Sequence, residues 1–260
     1  MTQAKTCVFT LTRGYGGIRK YRYRFIIRRN LALRKAMKNI QDKYDYILFH
    51  EGNIKNLDQL LIKYLSLNIR IKFIDISKDF EIPNGHTWTG TNSYGKGYSL
   101  MCRFNYYGLW KYLKSYKIAV RVDEDCLIRN LPIFNEKVIF TTGALSKETH
   151  GPTNQSLKKY LDSKGLGAYY DQKFPYTNVY ITSVQFWLRS DVQKFLTEVA
   201  RQENSLEERW GDLPILGVAL KIYGQWNIEE GVDRRISYKH LSHGSDVANG
   251  LVMTNRLPFP

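Results

Sequence analysis

Cysteine is scarce in this sequence: Cys7, Cys102 and Cys126 are far apart, odd in number and free of CxxC spacing. Neither a disulfide framework nor a zinc cluster has the residues it needs, so three small core side chains are expected. Long apolar runs are missing as well, and no stretch approaches the roughly 18–20 residues of a membrane span. The opening MTQAKTCVFTLTRGYGG lacks the layout of a secretory leader. A cytoplasmic protein without signal or anchor is therefore expected, in a host cytoplasm if a virus encodes it. Acid is absent from the first 41 residues. No repeat, low-complexity tract or linker marks a boundary, which leaves a single domain over 1–260.

Hydrophobic residues make up 43% of the chain and charged residues 24%, values that suit a globular protein with a substantial core. Lys and Arg number 39 against 24 Asp and Glu, a formal charge of +15. Such a field attracts polyanions, nucleotides and anionic surfaces alike. RKYRYRFIIRR interleaves tyrosine with arginine as a nucleic-acid patch does, yet no nucleic-acid module accompanies it, and a solvated basic face explains it equally well. Nucleic acid is not the expected partner, while peripheral contact with an anionic membrane stays open.

The apolar pattern alternates between two periods. KTCVFTLT reads as a buried strand, RRNLALRKAMKNIQDKY as a helix, YDYILFHEGN as a strand, NLDQLLIKYLSL as a helix and IRIKFIDIS as a strand. This order predicts parallel βαβ units in an α/β sheet, with the loops after Thr12, His50 and Asp75 bordering one crevice at the carboxyl ends of the strands. IPNGHTWTGTNSYGKGY follows as a loop, SLMCRFNYYGLWKYLKSY as a helix and KIAVRV as a strand. Beyond an irregular middle, VYITSVQFW reads as a strand, and SDVQKFLTEVARQEN and GDLPILGVALKIYG as helices.

Three constellations carry possible chemistry. RVDEDCLI places Asp123, Glu124 and Asp125 at the end of a buried strand. A solvated turn, an acidic catalytic pair and a divalent-metal site for a phosphorylated ligand all fit, since hard carboxylate oxygens suit Mg²⁺ or Mn²⁺. YKHLSHG supplies His240 and His243, with Asp233 and Asp246 nearby. They read as structural or surface histidines, or as an imidazole that completes a Mn²⁺ site. EERWGDLP reads as a helix start capped by Asp212 with Pro214 in its first turn, or as a sugar-binding edge. In that second reading Trp210 stacks on a pyranose while Arg209 and Asp212 bond its hydroxyls.

LTRG, YGKGYSLMCRF, RVDED, FWLRSDV, ERWGDLP and ISYKH occur in the order in which the fungal α-1,2-mannosyltransferases of glycosyltransferase family 15 carry similar stretches. The chain resembles that family from about Thr6 to His243. The resemblance implies a GT-A fold, a nucleoside-diphosphate sugar donor (GDP-mannose in the fungal enzymes), Mn²⁺, and transfer with retention. Residue by residue it implies a metal held by Asp123, Asp125 and His240. Thr12, Arg13, Tyr94, Tyr98, Arg103 and Asp123 would lie around the donor, with Asp191 at the position of the glutamate proposed as nucleophile. Asp191 is one methylene shorter, and its bland reading is the N-cap of VQKFLTEVARQ.

Together these observations imply a single GT-A domain, with 1–130 mainly binding nucleotide sugar and metal and 131–260 mainly binding acceptor and carrying catalysis. The expected activity is a metal-dependent (Mn²⁺ or Mg²⁺), retaining glycosyltransferase acting on a glycan or glycoprotein. The competing classes are a protein that binds nucleic acid or an anionic surface, and a nucleotidyltransferase with a similar acidic metal site.

Overall fold

A computed structural model describes residues 6–12, 23–37, 44–67, 69–90, 94–132, 139–170, 173–241, 245–248 and 251–254. The β-branched and aromatic runs form the strands that their composition favours. β1 (Thr6–Thr12) leads through α1 (Arg24–Ala36) to β2 (Tyr44–His50), and α2 (Asn56–Leu65) leads on to β3 (Ile71–Asp75). α3 (Lys96–Arg103) precedes β4 (Ile118–Val122), which turns into β5 (Cys126–Asn130). There follow β6 (Phe140–Thr142), β7 (Leu145–Ser146), α4 (Gly151–Ser163), β8 (Phe174–Pro175), β9 (Val179–Ser183), α5 (Ser190–Ala200) and α6 (Asp212–Gly224). The last strands are β10 (Ser237–His240), β11 (Ser245–Ala248) and β12 (Leu251–Thr254).

The main sheet runs β3-β2-β1-β4-β9-β6. Its first four strands pair in parallel, as the βαβ pattern predicts, whereas β9 is antiparallel to both β4 and β6. The fold is thus a mixed α/β sheet flanked by helices. Alternation along each strand builds a core on either face. Cys7 and Phe9 belong to one cluster with Phe49, Phe104 and Trp187, while Val8 packs in the other with Leu48, Val120 and Ile181. All three cysteines are buried and unlinked, as expected.

The stretch read as an irregular middle contains the helix α4 (Gly151–Ser163), and two other elements differ in form from the sequence reading. The helix after α3 passes through a π turn at Phe104–Gly108, where Leu109 N–H donates to Phe104 O at 2.9 Å and one extra residue enters the spiral. VYITSVQFW stops being a strand at Ser183 and closes a helical turn over Val184–Trp187. That turn lets Trp187 stack on Trp110, with centroids 4.7 Å apart and planes at 9°, while its indole N–H donates to Thr182 Oγ1 at 2.7 Å. Among the described residues, no helix is long and apolar enough to cross a membrane.

A second, antiparallel sheet runs β12-β11-β10-β5 and sets His240 opposite Cys126. The approach to β10 is tight, because a Cβ on Gly143 would stand 2.5 Å from Ile236 O. Backbone cannot retreat as a flexible side chain does. Gly143→Ala is therefore expected to cost about 1–3 kcal/mol in urea unfolding, whereas Gly151→Ala, with nothing within 4 Å of the added Cβ, is expected to change stability by less than about 0.5 kcal/mol.

Candidate active site

β4 lies between β1 and β9, and all five of its residues are buried, including Arg121. A guanidinium in that position needs anions, and two carboxylates supply them. Arg121 Nε donates to Asp123 Oδ1 at 2.7 Å, and Nη1 donates to Asp212 Oδ2 at 2.6 Å. Asp123 follows Arg121 by two residues and so shares its side of the strand. Asp212 arrives at the start of α6, which shows that it is not a capping side chain. The cap is Gly211, with no side-chain cap hydrogen bond, and Asp212 is spent on Arg121. Burial pushes the Asp123 carboxyl up to about 6; Arg121 opposes the rise and Asp125 adds to it. Burial also works against the Arg121 charge, but Asp123 and Asp212 outweigh it and keep the guanidinium protonated.

These groups open into a cavity of about 470 Å³. Five carboxylates line it (Asp123, Glu124, Asp125, Glu148 and Asp212), against the three cations Arg121, Lys147 and Arg209. In a chain of charge +15 this cleft is locally acidic, which favours a cation within it. The turn after β4, where Cys126 N–H donates to Asp123 O at 3.0 Å, swings Asp125 towards β10. There Asp125 Oδ2 lies 3.1 Å from His240 Nε2, and Asn178 Nδ2 is 3.1 Å from the same ring nitrogen. Asp125, Cys126 and His240 offer ligand atoms within 4.8 Å of one another. A carboxylate oxygen and an imidazole nitrogen converging in this way fit a divalent ion such as Mn²⁺.

Asp123 is set apart from that group. Its oxygens face Arg121, at 2.7 Å and 3.4 Å, because strand periodicity aligns it with the arginine while the turn carries Asp125 away. Of the three metal candidates, the structure brings together Asp125 and His240.

Tyr94, Tyr98 and Arg209 line the same cavity. The tyrosine rings are 5.2 Å apart, and the Arg209 guanidinium carbon sits 4.4 Å over Tyr94 and 5.7 Å over Tyr98. Arg209 Nη2 donates to the buried Glu148 at 2.7 Å. Arg209 has φ of 50°, a left-handed conformation that costs a non-glycine residue on the order of 1 kcal/mol and that marks functional sites. Thr12 belongs to an adjoining cavity of about 460 Å³ shared with Glu124, Tyr94 and Tyr98, and its hydroxyl donates to Glu124 Oε2.

Three expected site residues lie elsewhere. Trp210 is only 2% exposed; its indole N–H donates to Ser156 Oγ at 2.7 Å and its ring packs near Tyr160, so it is a core residue with no face for a sugar. Asp191 lies in the first turn of α5, where its exposed carboxylate pairs with Arg189 at 2.5 Å and accepts from Val192 N–H at 2.9 Å. β9 is antiparallel to β4, so the chain leaves the cleft at Val179 and has reached the far end of β4 by Ser183, before Asp191. Arg103 lines neither cavity, and its guanidinium carbon sits 5.0 Å over the Tyr107 ring. Arg13 and His243 fall outside the described residues.

Arg121, Glu148 and Asn178 were not picked out from the sequence. An arginine inside the apolar run KIAVRV was a signal for the first, since a buried charge requires partners. Glu148 and Asn178 sit in loops without any pattern.

No protein-family model matches the sequence, and no curated protein is similar to it. Solved structures are similar in fold. Core-mannan synthase A (CmsA/Ktr4) from Aspergillus fumigatus, in its Mn/GDP form, superimposes with a TM-score of 0.74 at 15% identity, over 92% of this chain and 75% of that one. The mannosyltransferase Ktr4p from S. cerevisiae gives 0.73 at 16% identity, over 92% and 70%. Mouse xyloside xylosyltransferase 1 gives 0.51 at 8% identity, over 85% and 83%. At these identities the likeness establishes the GT-A fold.

The Arg121 cluster generates a direct test. Arg121→Met removes the one cation between Asp123 and Asp212 and is expected to cost about 3–5 kcal/mol in urea unfolding at neutral pH. Protonating the stranded carboxylates relieves the burden, so the deficit should shrink as the pH falls from 8 towards 5. Adding Asp123→Asn and Asp212→Asn should restore part of the loss.

Proposed function

We propose that this protein is a metal-dependent glycosyltransferase that uses a nucleoside-diphosphate sugar, with a GDP-mannose-like donor favoured by the resemblance to fungal mannosyltransferases. The observation that carries the reading is the meeting of Asp125 and His240 at the carboxyl end of the central strand, inside an acidic cavity of a GT-A fold. Nucleotide ligands of open α/β sheets bind at that end of the strands.

Asp125 and His240 would hold Mn²⁺ or Mg²⁺; bound there, the ion supplies positive charge to the diphosphate leaving group. The chain's own residues do the rest. Asn178 Nδ2 lies 3.1 Å from His240 Nε2, the nitrogen that faces Asp125, and would give up that contact when the imidazole takes the ion. Arg121 keeps Asp123 and Asp212 in place on the cavity wall and leaves each carboxylate able to accept from a sugar or ribose hydroxyl. Arg209, held by Glu148 and backed by Tyr94 and Tyr98, presents fixed positive charge in the same cavity, suited to the anionic donor. Thr12 and the shared tyrosines extend the cleft along the end of β1, with room for a nucleoside.

With Asp191 outside the cleft, a covalent intermediate on that residue is not part of the mechanism. We keep retention of configuration as the stereochemical proposal, on the resemblance alone, with same-face attack on the donor as its route. The acceptor is proposed as a glycan or glycoprotein.

Melting curves with GDP-mannose and other nucleotide sugars, with and without Mn²⁺, test the reading. A donor at about 100 times its Kd raises stability by about 2.7 kcal/mol. That increment should need Mn²⁺ and vanish in Asp125→Ala. It should be reduced in His240→Ala and unchanged in Asp191→Asn. Sugar transfer with release of nucleoside diphosphate is expected; release of pyrophosphate from a nucleoside triphosphate would instead identify a nucleotidyltransferase. The anomeric configuration of the product, read by NMR, checks retention.

A further inference from the structure

Large apolar side chains exposed on this protein concentrate on one helix. Leu57, Leu60, Tyr64 and Leu67 are 65%, 61%, 72% and 57% exposed, spaced at intervals that keep them on one side of α2 and the residues just after it. The inward side of α2 is spent on buried Asp58 and Ile62, which leaves the outward leucines exposed.

α1 lies alongside. Asn30 Nδ2 donates to Ser66 Oγ at 2.9 Å, and Arg34 Nη1 donates to Leu67 O at 3.0 Å, tying the two helices together where the stripe ends. The exposed positions of α1 are Arg24, Arg28, Leu31 and Lys35, again at helical spacing, and α1 contains no acid. Lys55 and Lys63 add positive charge on α2, whose one acid, Asp58, is buried. One face of the molecule therefore combines a row of cations with a parallel row of protruding apolar side chains.

We propose that this α1–α2 face docks the protein on an anionic phospholipid bilayer. The chemistry of both rows is needed for that partner and fits others poorly. Leucine and tyrosine side chains enter the headgroup–acyl boundary while lysine and arginine meet the lipid phosphates and carboxylates. A nucleic acid would engage the cations and leave the leucines in water. A second copy of the chain would bring two +15 molecules together on their basic faces. No spanning helix is required, since the contact is peripheral.

Sedimentation with phosphatidylcholine vesicles containing about 30 mol% phosphatidylserine tests the proposal. Wild-type protein should bind these vesicles, ignore pure phosphatidylcholine, and dissociate as salt rises towards about 0.5 M. Replacing Leu60 and Tyr64 by Gln should weaken binding by at least about tenfold. Replacing Arg24, Arg28 and Lys35 by Gln should weaken it on the order of a hundredfold, at roughly fivefold per cation. Melting temperatures should stay at the wild-type value; if the first variant fails to fold, Leu57→Ser with Leu67→Ser serves in its place. Equal binding to neutral vesicles, absence of binding, or wild-type binding by either variant overturns the proposal. So does a wild-type dimer in sedimentation velocity that Leu60→Gln with Tyr64→Gln converts to monomer, or duplex DNA binding that the same substitutions abolish.

Discussion

A guanidinium buried in the central strand of the sheet constrains everything around it. Arg121 has a neighbour strand on each side and is only 7% exposed, so it persists only where acids meet it. One acid, Asp123, comes from the same strand; the other, Asp212, comes from the first turn of α6. The sheet and the C-terminal helix are thereby joined by an electrostatic contact located in the cleft. Structural order and the shape of the cleft depend on one interaction, since Arg121, Asp123 and Asp212 all line the cavity.

The same requirement explains the division of labour among the acids. Arg121 takes Asp123 and Asp212, Thr12 takes Glu124, and Arg209 takes Glu148. Asp125 instead faces His240. A basic protein concentrates carboxylates after β4 because each is matched to a specific partner. The charge answers the question posed by the sequence RVDED, since net charge describes the outer surface while the cleft is set by local pairing.

On the outside, the basic excess has a different organisation. The cations of α1 share a face with the exposed leucines of α2, so the charge that draws anions to the protein also has a direction. The cleft lies at the carboxyl ends of the strands, and α1 and α2 flank the sheet. The basic, apolar face and the acidic cleft therefore occupy separate places on one scaffold.

The sequence by itself determined what depends on local periodicity. The alternation of buried strands and helices through Asp75, the buried cysteines, the strand that ends in RVDED and the helix at 212–224 all follow from residue spacing. Residue chemistry left a histidine completing the acidic site as one of several readings, and family resemblance singled out Asp125 and His240. Tertiary structure decided what depends on which side chains face one another. Trp210 looked available for a sugar and is core, because Ser156 and Tyr160 of α4 close over it. Asp191 looked like a nucleophile and instead pairs with Arg189 away from the cleft, because β9 is antiparallel to β4 and carries the chain from Val179 at the cleft to Ser183 at the far end. Asp212 looked like a cap and is instead the partner of a buried arginine. Whether an acid caps, catalyses or neutralises is fixed by its nearest opposite charge and its distance from water, and residues far apart in the chain supply both.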